Sequence, residues 1–211
     1  WFPTIDQPNQ KLTHNIAISV PKNWVSLSNG ELEFSEQSSA THRTDHWSMK
    51  QPHAPYLVMV AAGPWAIVSD EWKGKELEYY VDSAYLPAAK DIFGKTPNMI
   101  SFYSEKLGVP FPWQKYSQVV LQDFVSGAME NTTAVTFGAF AQRSKREMVD
   151  DNADMTIAHE LFHHWFGDLV TCESWSNLPL NESFATFGEL MWAEHTEGET
   201  GLHQELLQKK S

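Results

Sequence analysis

The chain has 211 residues, enough for one or two small domains, and its 42% hydrophobic content with nine Trp supplies material for a packed core. A formal charge of −12 excludes non-specific binding to nucleic acid or to an anionic membrane, because both would repel it. The single cysteine, Cys172, excludes an internal disulfide.

In chain order, Leu12, His14, Ile16, Ile18 and Val20 alternate with mostly polar residues, the period of a half-buried strand. Pro21-Lys22-Asn23 and Ser28-Asn29-Gly30 are turn signals that bracket a short segment at Trp24–Leu27. Leu32 and Phe34 alternate again, Thr41–Met49 is a further strand, and Tyr56–Ala62 reads as a buried strand ended by Gly63-Pro64. Leu77–Val81 predicts one more strand, after which Pro87–Phe93 and Thr96–Leu107 are helical. In the second helix Thr96 is the expected N-cap, Pro97 suits the first turn and Gly108 ends it. Gln118–Gln122 and Val135–Phe137 read as strands. Asp150-Asp151-Asn152 offers a cap and negative charge to a helix over Ala153–Phe166, which Gly167 stops. A last helix is expected from Asn181 to His195. The pattern predicts an α+β chain that divides near residue 70, into 1–70 and 71–211.

The chemistry concentrates in the helix that follows the acidic cap. His159 and His163 stand at i and i+4 in His159-Glu160-Leu161-Phe162-His163, so both imidazoles project from one helix face toward a single cation. Eighteen residues separate His163 from Glu182. A carboxylate from a second helix would complete a His₂Glu set, the shell of a catalytic zinc with a fourth position open for water. Glu160, beside the first histidine, is then placed to take a proton from that water. Cys172 is not needed as a ligand once this set is complete. His164 lies about 100° around the helix from its neighbour and is expected to face away. His14, His42, His46 and His53 have no ligand spacing, and Phe162, Trp165 and Phe166 read as helix core.

These residues carry a family resemblance. The chain resembles the M1 family of zinc aminopeptidases, the gluzincins that include aminopeptidase N and leukotriene A4 hydrolase. Their signature His-Glu-x-x-His, eighteen residues, Glu stands here as His159, Glu160, His163 and Glu182, and their Gly-x-Met-Glu-Asn signature as Gly127-Ala128-Met129-Glu130-Asn131. The flanks Pro110–Tyr116 and Trp165–Thr171 also fit, as does the start of the chain around Phe2–Pro8.

The resemblance implies the end of a β-rich, sandwich- or saddle-like N-terminal domain over 1–70. The upper part of a thermolysin-like zinc peptidase domain, incomplete at its C-terminal side, would follow over 71–211. It implies one zinc per chain, Glu160 as general base, Glu130 as anchor for the substrate's free α-ammonium, and backbone contacts from Gly127 and Ala128. Glu189, seven residues after Glu182, matches a glutamate that orients a zinc-ligating histidine; by position alone it is equally a partly buried helix residue. The implied partners are peptides with a free N-terminus. A leukotriene A4 hydrolase-like epoxide hydrolase and a non-catalytic peptide-binding relative are the alternatives, and the intact Glu160 and ligand set count against the latter.

Two departures stand out. The family usually has Trp-Leu-Asn-Glu-Gly around the third ligand, where this chain has Pro179-Leu180-Asn181-Glu182-Ser183. The family's oxyanion-binding tyrosine lies well beyond the zinc glutamate, whereas only 29 residues follow Glu182 and none is Tyr. By this reading the chain is a piece of a longer enzyme, and alone it is expected to be a feeble peptidase. No apolar run approaches the roughly 20 residues that span a bilayer. The chain begins at Trp1 without Met, so the compartment stays open between cytoplasm and periplasm or exterior.

Overall fold

A computed structural model describes residues 1–210. The first part of the chain builds two small sheets. β1 (Leu12–Pro21) pairs antiparallel with β4 (His42–His53), which also pairs with β3 (Glu31–Glu36), giving the order β1-β4-β3. β2 (Val25–Ser28) pairs with β5 (Val60–Gly63). In β1 the alternation read from sequence is realised, with Ile18 and Val20 buried and Ala17 and Ser19 exposed between them.

The strand expected over Tyr56–Ala62 is shorter. Pro55–Leu57 forms a 3-10 turn, and the strand begins only at Val60. Pro55 sits at the start of that turn, where its fixed φ is preorganised; as a strand residue it would lack the N–H that a ladder needs.

The second part of the chain builds a larger, third sheet of five strands in the order β6 (Ala66–Trp72), β7 (Lys75–Val81), β8 (Tyr116–Leu121), β10 (Ala134–Gly138), β9 (Ala128–Met129). β8 runs parallel to both β7 and β10, and the two outer pairs are antiparallel. β6 was not among the strands read from sequence. Apolar Ile67 on its exposed face and polar Asp70 on its inward face hide a period-2 burial pattern that its pairing with β7 makes plain. The expected division at residue 70 falls inside β6, all of which belongs to this sheet.

Both faces of the sheet are covered, and the pleat sorts the side chains. Tyr79, Val81, Val135 and Phe137 face a large core shared with α1 (Ala89–Phe93), α2 (Thr96–Leu107), α3 (Asp154–Phe162) and α4 (Pro179–Gln208). Tyr80, Val119 and Ala134 face the other way and pack with Ile18, Val20, Leu27, Trp47 and Met59 of the small sheets. Apolar burial on the back of the large sheet thus fastens the β-rich part to the helical part.

Three helix boundaries differ from the sequence reading. Thr96 is the first helical residue, not the cap, and its hydroxyl accepts from Gln118 Nε2 at 2.9 Å. α3 ends at Phe162, four residues early, although the His163 N–H still donates to His159 O at 3.2 Å. α4 continues past His195 to Gln208, with a break at Gly198. The N-cap position of α3 is held by Ala153, which has no capping side chain, and the expected acidic segment contributes one residue earlier, where Asn152 Oδ1 accepts from the Asp154 N–H at 2.9 Å.

α3 and α4 approach closely at Gly188, where an added Cβ would lie 2.5 Å from Phe162 Cγ. Any larger residue would push α4, and Glu182 with it, away from α3.

Candidate active site

His159 and His163 project from α3 with their Nε2 atoms 3.1 Å apart, and Glu182, in the first turn of α4, brings Oε2 to 3.3 Å and 3.6 Å from them. The opposite ring nitrogens are both engaged by pure acceptors. His159 Nδ1 lies 2.7 Å from Glu189 Oε1, and His163 Nδ1 lies 3.0 Å from Phe166 O. A carboxylate and a carbonyl can only accept, so each Nδ1 carries a proton, and whenever the ring is neutral its lone pair lies on Nε2. Two lone pairs and a carboxylate oxygen therefore converge, an arrangement that repels itself unless a cation sits among them.

The spacing suits zinc. Bonds of about 2.0–2.1 Å in a tetrahedral shell put ligand atoms roughly 3.3–3.4 Å apart, close to the three separations here. The charge balance tells the same story. Burial alone would lower the His159 pKa, but hydrogen bonds with Glu182 and Glu189 overcome it and hold the ring up at about 10. Hydrogen bonds from His159 and His163 hold Glu182 below the usual carboxylate range. The site gathers positive charge.

Glu160 and Glu130 form the next layer. Both are buried, and one oxygen of each lies within 4.8 Å of the other and of a His163 nitrogen. Burial, reinforced by the Glu130 charge, pushes the Glu160 carboxyl up to about 8 against the pull of His163. Its Oε2 is buried without a hydrogen-bond partner. Burial thus leaves Glu160 holding its proton more tightly than a free carboxyl does, with one oxygen open to a partner in the cleft.

Glu130 owes its place to the edge of the large sheet. Gly127 adopts φ 77, which turns the chain into β9, and β9 pairs with β10 through Met129↔Thr136 and Ala128↔Phe137. β9 has no second neighbour, so its outer edge lines a cleft of about 480 Å³. Gly127, Ala128, Glu130, His159, Glu160, His163, Glu182 and Glu189 all line this one cleft. Every site residue read from the sequence is thus brought together.

Several contributors escaped that reading. Tyr56, 74 residues before Glu130, donates its hydroxyl hydrogen to Glu130 Oε1 at 3.3 Å. Thr133 sits at φ 67, a strained conformation for a β-branched residue. Its N–H donates to His164 Nε2 at 3.1 Å and its Oγ1 accepts from the Gly30 N–H at 2.8 Å. Lys209 pairs with Glu189, on the side away from His159. No local pattern marks these residues, because each acts across a long stretch of chain.

His164 faces away from the cleft, as its helical phase requires. Its ring is buried against Tyr116 and Phe111, and burial lowers its pKa to about 3. Cys172 is buried too, and its N–H donates to Asn181 Oδ1 at 3.1 Å.

An α+β chain with a His₂Glu cluster in a cleft is what the structure provides, and comparison with known proteins gives its family. Residues 92–211 match the model of the peptidase family M1 domain, and residues 1–57 match the peptidase M1 N-terminal domain. The chain is 34% identical to tricorn protease-interacting factor F2 of Thermoplasma volcanium, over 88% of this chain and 24% of that protein. It is 30% identical to glutamyl aminopeptidase of Sus scrofa, over 98% of this chain and 22% of that protein. Aminopeptidase M1-C of Oryza sativa subsp. japonica is 32% identical, over 92% of this chain and 22% of that protein. The chain belongs to peptidase family M1, and it spans about a quarter of the length of these curated relatives.

Proposed function

We propose that the protein carrying this chain is a zinc aminopeptidase that removes single residues from the free N-terminus of peptides. The observation that carries the reading is the confluence, in one cleft, of the His159–His163–Glu182 triangle, the bare oxygen of Glu160 and the edge-strand glutamate Glu130. His159, His163 and Glu182 hold the metal, and Glu189 fixes the His159 tautomer from outside. A zinc ion there would supply Lewis-acid polarisation of a substrate carbonyl and lower the pKa of water toward neutrality.

The chain's own residues do the rest. An extended peptide adds to the free edge of β9, pairing with the backbone of Gly127 and Ala128. Its α-ammonium meets the Glu130 carboxylate in a charge-assisted contact. An α-nitrogen lies only about 2.5 Å from the carbonyl carbon of the same residue. An ammonium held by a carboxylate within 4.8 Å of Glu160 and His163 therefore leaves room for one residue before the scissile bond. Glu160 takes a proton from the attacking water and returns it to the leaving amine as the C–N bond breaks.

In domain terms, we assign residues 1–70 to the end of a β-sandwich- or saddle-like N-terminal domain, with β6 extending the large sheet. Residues 71–211 are assigned to the upper part of a thermolysin-like domain. Among the described residues no helix is long and apolar enough to cross a membrane. A buried carboxylate, Glu130, in the cleft beside the His159–His163–Glu182 triangle suits a substrate with a free ammonium, which favours the peptide reading over an epoxide.

The test is a comparison, in the complete protein, of an aminoacyl-arylamide with its N-acetyl counterpart. The free amine should be turned over far faster, and Glu130→Ala should erase most of that preference while zinc content is unchanged. Equal cleavage of both substrates by the unmutated protein would end the aminopeptidase reading.

A further inference from the structure

We propose that Tyr56, from the β-rich part of the chain, is a positioning residue that sets the distance between the ammonium anchor and the metal ligands. The inference rests on the role of Glu130 proposed above. The Tyr56 hydroxyl makes two hydrogen bonds of defined direction. It accepts from Asn181 Nδ2 at 3.0 Å and donates to Glu130 Oε1 at 3.3 Å. Asn181 immediately precedes Glu182 at the start of α4, and its own Oδ1 is fixed by the Cys172 N–H. A single phenol oxygen thus links the segment bearing the third ligand to the carboxylate that receives the substrate's N-terminus. Because an amide nitrogen can only donate, the phenol hydrogen must point toward Glu130. That bond engages Oε1 and leaves the other carboxylate oxygen to the ammonium.

The phenol keeps its proton in this role. Burial raises its pKa well above the ordinary tyrosine value, and the nearby Glu130 charge adds to the effect. The turn that carries Tyr56 is held in place independently of the hydroxyl. Asn29 Nδ2 bonds both Leu57 O at 3.0 Å and Thr132 O at 2.7 Å, and Asn131 Nδ2 reaches Leu57 O at 3.3 Å. The Tyr56 ring also packs edge-on against Trp175, with centroids 4.9 Å apart. Removing only the hydroxyl therefore leaves the turn and the ring where they are. It frees Glu130 to rotate and breaks the link to α4.

The experiment is Tyr56→Phe in the complete, zinc-loaded protein, with Glu130→Ala and the double variant beside it. For Tyr56→Phe, KM for an aminoacyl-arylamide should rise about 3- to 10-fold, while kcat changes less than about twofold and zinc content is constant. Calorimetric affinity for an amino-acid amide should fall by the same factor. In the Glu130→Ala background Tyr56→Phe should have no further effect, since the group it positions is gone. A Tyr56→Phe variant with unchanged KM and amide affinity would overturn the inference, as would equal effects in both backgrounds. The two readings fail differently. If Glu130→Ala keeps the preference for free amines, the anchor reading falls; if only Tyr56→Phe is silent, the anchor stands and the positioning role falls.

Discussion

Two histidine pairs in this protein, each with one buried and one half-buried ring, have the same separation and opposite character. His159 and His163 bring their Nε2 atoms to 3.1 Å, and so do His14 and His53 across the β1–β4 pairing. In the first pair both Nδ1 atoms have acceptors, and Glu182 adds a carboxylate. In the second pair both Nδ1 atoms are buried without partners. Burial lowers both of its rings, and the His53 pKa, lowered further by His14 and Lys11, falls to about 3. A close histidine pair is therefore not a metal site in itself. Outward acceptors that fix the tautomer, and an added negative charge, are what turn lone pairs toward a cation.

The largest expected effect breaks the comparison at the metal. His159→Ala or His163→Ala should abolish stoichiometric zinc, whereas His14→Ala should leave it intact. Elemental analysis of folded proteins reads both, and zinc loss in the His14 variant would place the ion elsewhere. Next in size is Glu160→Gln in the complete protein, which keeps the side chain's shape beside the first pair but removes its basic carboxylate. Zinc should remain while kcat falls about 10²- to 10⁴-fold; near-normal turnover would mean that another group takes the proton.

Smaller again is the loss of an outward acceptor. Glu189→Gln leaves the ligands in place but weakens the grip on His159 Nδ1, and zinc affinity should drop about 10- to 100-fold in a chelator competition. Unchanged affinity would show that Glu189 serves only its pairing with Lys209.

The smallest effect belongs to the second pair and appears as pH dependence. The folded pKa of His53 lies below its free value of 6.5, so the unfolded chain takes up the proton first as pH falls. The contribution of His53 to stability is complete above pH 6.5 and declines toward pH 3. Between pH 8 and pH 5 it should cost about 2 kcal/mol. Denaturant melts of the wild type and His53→Gln at both pH values should differ by that slope, with zinc content equal. Parallel pH profiles would remove His53 from the account.

The sequence by itself determined the chemistry that depends on local spacing. The i, i+4 pair, the adjacent glutamate and the alternating strand β1 were legible because helix and strand periodicity fix which side chains share a face. Glu182 was legible as the carboxylate that completes a His₂Glu set, whereas the Gly127–Asn131 motif with Glu130 was legible only through the family resemblance, since a lone glutamate carries no period. The misses have physical causes. Pro55 converted an apolar strand signal into a turn, and inward Asp70 with outward Ile67 concealed in β6 a strand that only pairing reveals.

What the tertiary structure decided is the meeting of residues distant in sequence. Tyr56 reaches Glu130 and Asn181, and Thr133 joins Gly30 to His164. Glu182 arrives beside the histidines because Gly188 lets α4 lie against Phe162. Such contacts have no signature in the chain because they are selected by packing. Burying apolar surface on both faces of the large sheet brings the turn, the edge strand and the two helices to one place, and only there do their polar groups become partners.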